Sequence, residues 1–121
     1  MKTIKLMPDY HSWPLWADDW EPDNIEPYNI DPFTLPLSKH LVERLDVWAD
    51  IFTSKLNQED PAESGFSSDE EFRPFEEEGL RLWLELRAQL HPAYQVKYHS
   101  LKHGLFDTPE VWERITNRRI D

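Results

Sequence analysis

Histidines and carboxylates are the side chains of this sequence that could do chemistry, and neither type forms a diagnostic set. His99 and His103, two of five histidines, have the i, i+4 spacing that on a helix would turn both imidazoles to one face and hold a metal ion. They straddle an expected strand end and loop, where that spacing separates the rings, so no metal site is expected. Carboxylate pairs are so frequent that none is informative as a general acid and base, and Asp18 and Asp19, between Trp16 and Trp20, would suit a sugar-binding platform. An aromatic cluster closing a core is the simpler reading of the same residues. With no cysteine, the chain has no thiolate metal site, iron–sulfur cluster or nucleophilic thiol. It contains no G-x-S-x-G motif, and its three glycines, Gly65, Gly79 and Gly104, stand too far apart to cradle a phosphate. No catalytic residue, metal or cofactor is expected.

The elements that would position any site follow from periodicity and punctuation. The length of 121 residues suits one domain, residues 1–121. Ile4 and Leu6 alternate with Lys5 in a strand over 2–7 that Pro8 closes. Residues 8–37 then hold six of the ten prolines together with Tyr10, Trp13, Trp16, Trp20, Tyr28 and Phe33. That density of proline forbids a long helix or a central strand, and that many rings will not stay in water, so a long acidic loop lying down on the domain is expected. Ser38 caps a helix over 39–57 whose inward stripe is Leu41, Leu45, Trp48, Phe52 and Leu56. Ser67 or Ser68 opens a second helix over 68–90, striped by Phe72, Phe75, Gly79, Leu82, Trp83, Leu86 and Leu90. Pro74 should kink it or split off a turn at 68–72, and Gly79 should mark a close crossing with the first helix. Tyr94, Val96 and Tyr98 alternate in a strand over 93–99, and Asp107 or Thr108 caps a short helix over 108–118. The fold class is α+β: two long helices packed on a short sheet of two or three strands, with a Pro/Trp-rich acidic loop and a short C-terminal helix.

Charge is the other organising feature. The formal net charge is −11, which argues against nucleic acid or an anionic membrane surface and favours a basic protein partner. Two blocks hold the excess. Residues 6–38 contain seven acids and no lysine or arginine; residues 59–78 contain nine acids against Arg73. Asp69, Glu70 and Glu71 complement the dipole of the second helix, but Glu76, Glu77 and Glu78 have no such reason. The interleaving of acids with tryptophans suggests an aromatic anchor with a charged rim, built from Trp16, Asp18, Asp19, Trp20, Glu63, Glu76 and Glu77. The apolar start at residues 1–7 is cut by Pro8 and Asp9 before it reaches the length of a signal peptide, and no run approaches the roughly 20 apolar residues of a membrane span. A cytoplasmic protein is expected.

Several short motifs add a resemblance. Asp9-Tyr10 with Pro14-Leu15-Trp16, Asn29-Ile30-Asp31-Pro32, Leu35-Pro36-Leu37-Ser38, Leu56-Asn57 with Asp60-Pro61 and Ser64-Gly65-Phe66, and Phe75 with Glu78-Gly79 resemble a family of small acidic, largely uncharacterised bacterial proteins over about residues 4–90. Proteins of this type are similar to the immunity proteins encoded beside polymorphic toxins. The resemblance implies a protein without enzymatic activity that neutralises a basic toxin such as a nuclease, and it carries over no catalytic residue. Two alternatives differ in class: a small acid–base hydrolase using loop carboxylates, which needs a pocket with convergent carboxylates of shifted pKa, and a self-associating structural protein.

Overall fold

The computed structural model describes residues 2–18, 29–56, 65–66 and 68–120. Five strands form one sheet among them, in the order β3-β2-β1-β4-β5: β1 is Lys2–Leu6, β2 Leu15–Asp18, β3 Asn29–Ile30, β4 Tyr94–Ser100 and β5 Gly104–Phe106. β1 pairs parallel with β4, placing Ile4 opposite Val96 and Leu6 opposite Tyr98; the other three pairings are antiparallel. The helices are α1 (Lys39–Thr53), α2 (Asp69–Leu90) and α3 (Pro109–Thr116).

The sheet is wider than the two or three strands expected. Two of the extra strands come from the segment read as an irregular loop, and they are four and two residues long, too short for alternation to show in a sequence. Pro14 sits just outside β2, where it costs no ladder bond, and its carbonyl accepts from the Met7 amide at 2.9 Å to open the pairing with β1. The third is β5, three residues started by Gly104 at φ +85°, a backbone position that glycine fills without strain.

Because strand side chains alternate, the pairing register assigns every strand residue to one of two faces. Ile4, Leu6, Leu15, Ile30, Val96, Tyr98 and Phe106 are buried toward the helices, where they join Leu41, Leu45, Trp48 and Phe52 of α1, Phe75, Leu82, Trp83, Leu86 and Leu90 of α2, and Trp112 of α3 in one core. Lys5, Trp16, Asp18, Lys97 and His99 occupy the opposite face, half-buried.

Ser38, Ser68 and Thr108 each cap a helix by accepting from the backbone N–H three residues on. α1 stops at Thr53, before the expected 57. α2 runs unbroken through Pro74 rather than dividing at 68–72, because Pro74 is exposed and the carbonyl it leaves unpaired on that side can be solvated. A Cβ on Gly79 would lie 2.7 Å from Trp48 Cζ2 and 2.8 Å from the Tyr98 hydroxyl, so this glycine is where the Trp48 ring of α1 passes under α2.

Candidate functional site

The residues singled out from sequence do not gather at one place. Trp16 and Asp18 lie on the sheet face turned away from the helices. There the Trp16 indole N–H donates to the Met7 carbonyl at 2.9 Å, and Asp18 stands 3.8 Å from Lys97, which also reaches Asp107 at 3.5 Å. Glu77 is exposed on the outer side of α2, across the sheet from Asp18. Glu76 points inward: it is 8% exposed, and its carboxylate accepts from the hydroxyls of Tyr98 and Ser100. Burial of the phenol first, then the adjacent Glu76 charge and hydrogen bond, push Tyr98 well above the ordinary tyrosine range. Glu76 thus ties α2 to β4 inside the protein rather than facing a partner. Asp19, Trp20 and Glu63 lie outside the described residues. His99 is on β4, and His103, in the turn after it, packs edge-on against Trp112. Among the described residues no three histidine or carboxylate side chains come together as a metal site.

The first helix has no block of excess charge, its acids and bases over 39–57 being equal in number, but its outer side carries exposed apolar side chains. Leu41, Leu45, Trp48 and Phe52 turn inward, which leaves Glu43, Asp46, Val47, Asp50 and Ile51 on the outer side. Val47 is 59% and Ile51 42% exposed, and they line a shallow groove with His40, Glu43, Arg44 and Glu78. Its signal in the sequence is the i, i+4 pair Val47 and Ile51, which falls off the inward stripe.

Asp46 and Asp50, on the same outer side of α1, line a cleft of about 490 Å³ with Trp13, Asn29 and Thr53 among others. Asn29 holds the Trp13 backbone at both ends: its side-chain oxygen accepts from the Trp13 amide at 3.1 Å and its side-chain nitrogen donates to the Trp13 carbonyl at 2.6 Å. His11, at φ +56°, donates its backbone N–H to Thr53 Oγ1 at 3.1 Å, and the Tyr10 ring stacks on Phe52 at 4.5 Å. These contacts fix the loop to α1 and leave Trp13 43% exposed in a cleft that it shares with two aspartates. Asp46 titrates above the usual carboxylate range, first through burial and then through repulsion from Asp50 and Asp31. Among the described residues no ion pair relieves these three acids.

A raised carboxyl is also what a general acid needs. Here Asp46 and Asp50 stand one turn apart on the same helix, on one wall of the cleft, and the neighbouring hydroxyls are engaged with backbone. Ser12 donates to the Tyr10 carbonyl, and Thr53 accepts from His11.

On the other side of α1 the charge is satisfied. Arg44 donates to Glu78 at 3.0 Å and 3.2 Å and also pairs with Glu85, while Arg81 supports Glu78 at 3.3 Å. Burial alone would raise the Glu78 carboxyl, but Arg44 and then Arg81 hold it below the usual range. The same hydrogen bond raises Arg44. This network fastens α1 to α2, whereas the acids at the Trp13 cleft are left in mutual repulsion.

Among the described residues no helix is long and apolar enough to cross a membrane. A family model described as Serratia CdiI immunity protein-like matches residues 2–101. No curated protein matches the chain.

Proposed function

Because this chain belongs to the Serratia CdiI immunity protein-like family, we propose that it acts in the bacterial cytoplasm by binding a basic toxin, such as a nuclease, and blocking its working face. The contact surface in this reading is the outer side of α1 with the Trp13 cleft. The observation that selects it is the exposed Trp13 in one cleft with Asp46 and Asp50, with Val47 and Ile51 exposed on the same outer side of α1. Apolar centres with charged rims are the anatomy of protein interfaces, and tryptophan is the residue most often dominant within them. Lysine or arginine side chains of the partner would relieve the repulsion among Asp31, Asp46 and Asp50. Two copies of this chain would bring one acid rim against another, so the surface favours a basic partner over a second copy. Trp16 and Asp18, on the sheet face turned away from the helices, and Glu77, on the outer side of α2, lie apart from this surface, Glu76 is buried between α2 and β4, and Asp19, Trp20 and Glu63 lie outside the described residues.

The test is association with the product of the neighbouring gene, followed at ionic strengths from about 10 to about 150 mM, over which the screening length contracts from about 30 to about 8 Å. The expected result is an association rate that falls steeply with salt and an affinity weakened about thirtyfold or more by Trp13→Ala, the loss typical of a dominant interface residue. Tight binding with a salt-independent rate, undisturbed by Trp13→Ala, would remove both the basic partner and this surface.

A further inference from the structure

Trp13 is 43% exposed, yet its backbone is gripped by a side chain from β3, 16 residues away. The Asn29 side-chain oxygen accepts from the Trp13 amide at 3.1 Å, and its side-chain nitrogen donates to the Trp13 carbonyl at 2.6 Å and to the Leu15 carbonyl at 3.1 Å. A carboxamide offers one oxygen and two N–H protons, and here the oxygen and both protons are engaged. Leu15 is fully buried and paired on both sides, with Leu6 of β1 and Ile30 of β3. The Asn29 side chain therefore fastens the peptide groups of Trp13 to the rigid part of the sheet. From the other direction, Pro14 restricts the residue before it to extended backbone. The turn ahead of Trp13 is fixed by the Tyr10 stack on Phe52 and the bond from the His11 amide to Thr53.

Both bonds to Trp13 lie at the exposed surface, where water could serve the same backbone groups, so burial does not demand the grip. What the grip does is remove conformational freedom from Trp13 before a partner arrives. Ordering loops and side chains at an interface opposes binding, and a residue ordered in advance escapes that cost. We propose that Asn29 is a positioning residue of the toxin-binding surface: it acts through Trp13, presenting that side chain to the toxin in one arrangement. This role rests on Trp13 being a toxin contact, and it adds the residue that makes the contact preformed.

Two substitutions separate this role from charge. Asn29→Ala removes the grip. Asn29→Asp removes both donated protons and sets a carboxylate against the Trp13 and Leu15 carbonyls, while adding a negative charge to a cleft that already holds Asp46 and Asp50. If the cleft drew a basic toxin by charge alone, Asn29→Asp would bind more tightly; if Asn29 positions Trp13, both variants bind more weakly. Affinity for the product of the neighbouring gene is measured for the wild-type protein, for both variants and for each again in a Trp13→Ala background, with urea titration to verify that all are folded. The expected result is an affinity about three- to tenfold lower for either Asn29 variant, the scale of ordering one interface side chain. That loss should shrink below about twofold where residue 13 is already alanine. In the free protein, nitrogen relaxation should show the Trp13 amide losing order in Asn29→Ala. Tighter binding by Asn29→Asp, a loss in Asn29→Ala that is absent or is equal with and without Trp13, or an unchanged order parameter would overturn the positioning role and leave the toxin contact standing. No binding by the wild-type protein at low salt, or binding undisturbed by Trp13→Ala, would instead remove the contact on which the role rests, and the role with it.

Discussion

Trp48 fills the space that a side chain on Gly79 would occupy. The ring carbon Cζ2 is 2.7 Å from the ideal Cβ position, and the ring stacks at 4.5 Å on Phe75, whose carbonyl accepts the Trp48 N–H. A methyl group at residue 79 must displace either that ring or the Tyr98 hydroxyl, which itself bonds to Glu76. Gly79→Ala is therefore expected to cost about 1–3 kcal/mol through overpacking, despite alanine's better helix propensity. Urea titration checks it; an unchanged or higher midpoint would contradict the packing described.

Glu76 is expected to behave as a structural residue. Glu76→Ala leaves the Tyr98 and Ser100 hydroxyls without their acceptor in a buried setting, at a cost of about 2–3 kcal/mol. The raised Tyr98 phenol carries its own pH signature. The folded state keeps that proton where the unfolded chain releases it, so stability falls as pH rises past about 10. Urea midpoints on either side of that pH read the effect, which should vanish in Tyr98→Phe.

Asp46 presents the opposite sign of repulsion. Its folded pKa lies above the unfolded value, so the penalty is absent below the ordinary aspartate range and fully present at neutral pH. Asp46→Asn should stabilise the free protein at pH 7 by about 0.2–0.5 kcal/mol, the scale of an i, i+4 like-charge contact, and leave it unchanged near pH 3. The same substitution should weaken association with a basic partner. A variant that gains stability and affinity together would argue against the cleft as the contact.

Arg44→Met removes the cation shared by Glu78 and Glu85. Glu78 has its folded pKa depressed, so it contributes stability above the ordinary glutamate range that is lost as pH falls through the folded value. The network is partly exposed, so about 1 kcal/mol at pH 7 is expected, with the difference from wild type shrinking in acid. Thermal melts at pH 7 and pH 3 measure it.

Long elements were legible in the sequence because their periods repeat. The inward stripe Leu41–Leu45–Trp48–Phe52, the cap at Ser38 and the alternation Tyr94–Val96–Tyr98 each repeat a signal several times. β2, β3 and β5 give no such repetition, and their residues are defined as strand only by the partner they lie against. The candidate surface was obscured for another reason. Summed over the expected span 39–57 the charge is zero, yet folding places Lys39 and Arg44 away from Asp46 and Asp50 and brings in Asp31 from a distant segment. Conversely Glu76, one of three consecutive acids, points into the core, because helical geometry turns neighbours about 100° apart.

The parallel pairing of β1 with β4 sets a schedule. β1 receives this neighbour only when Tyr94–Ser100 is present, after β2, β3, α1 and α2 have been made. Contacts of such long range slow folding. For a protein that must neutralise a toxin, the interval between translation and protection then includes this late closure, and a chain cut short before β4 would offer none.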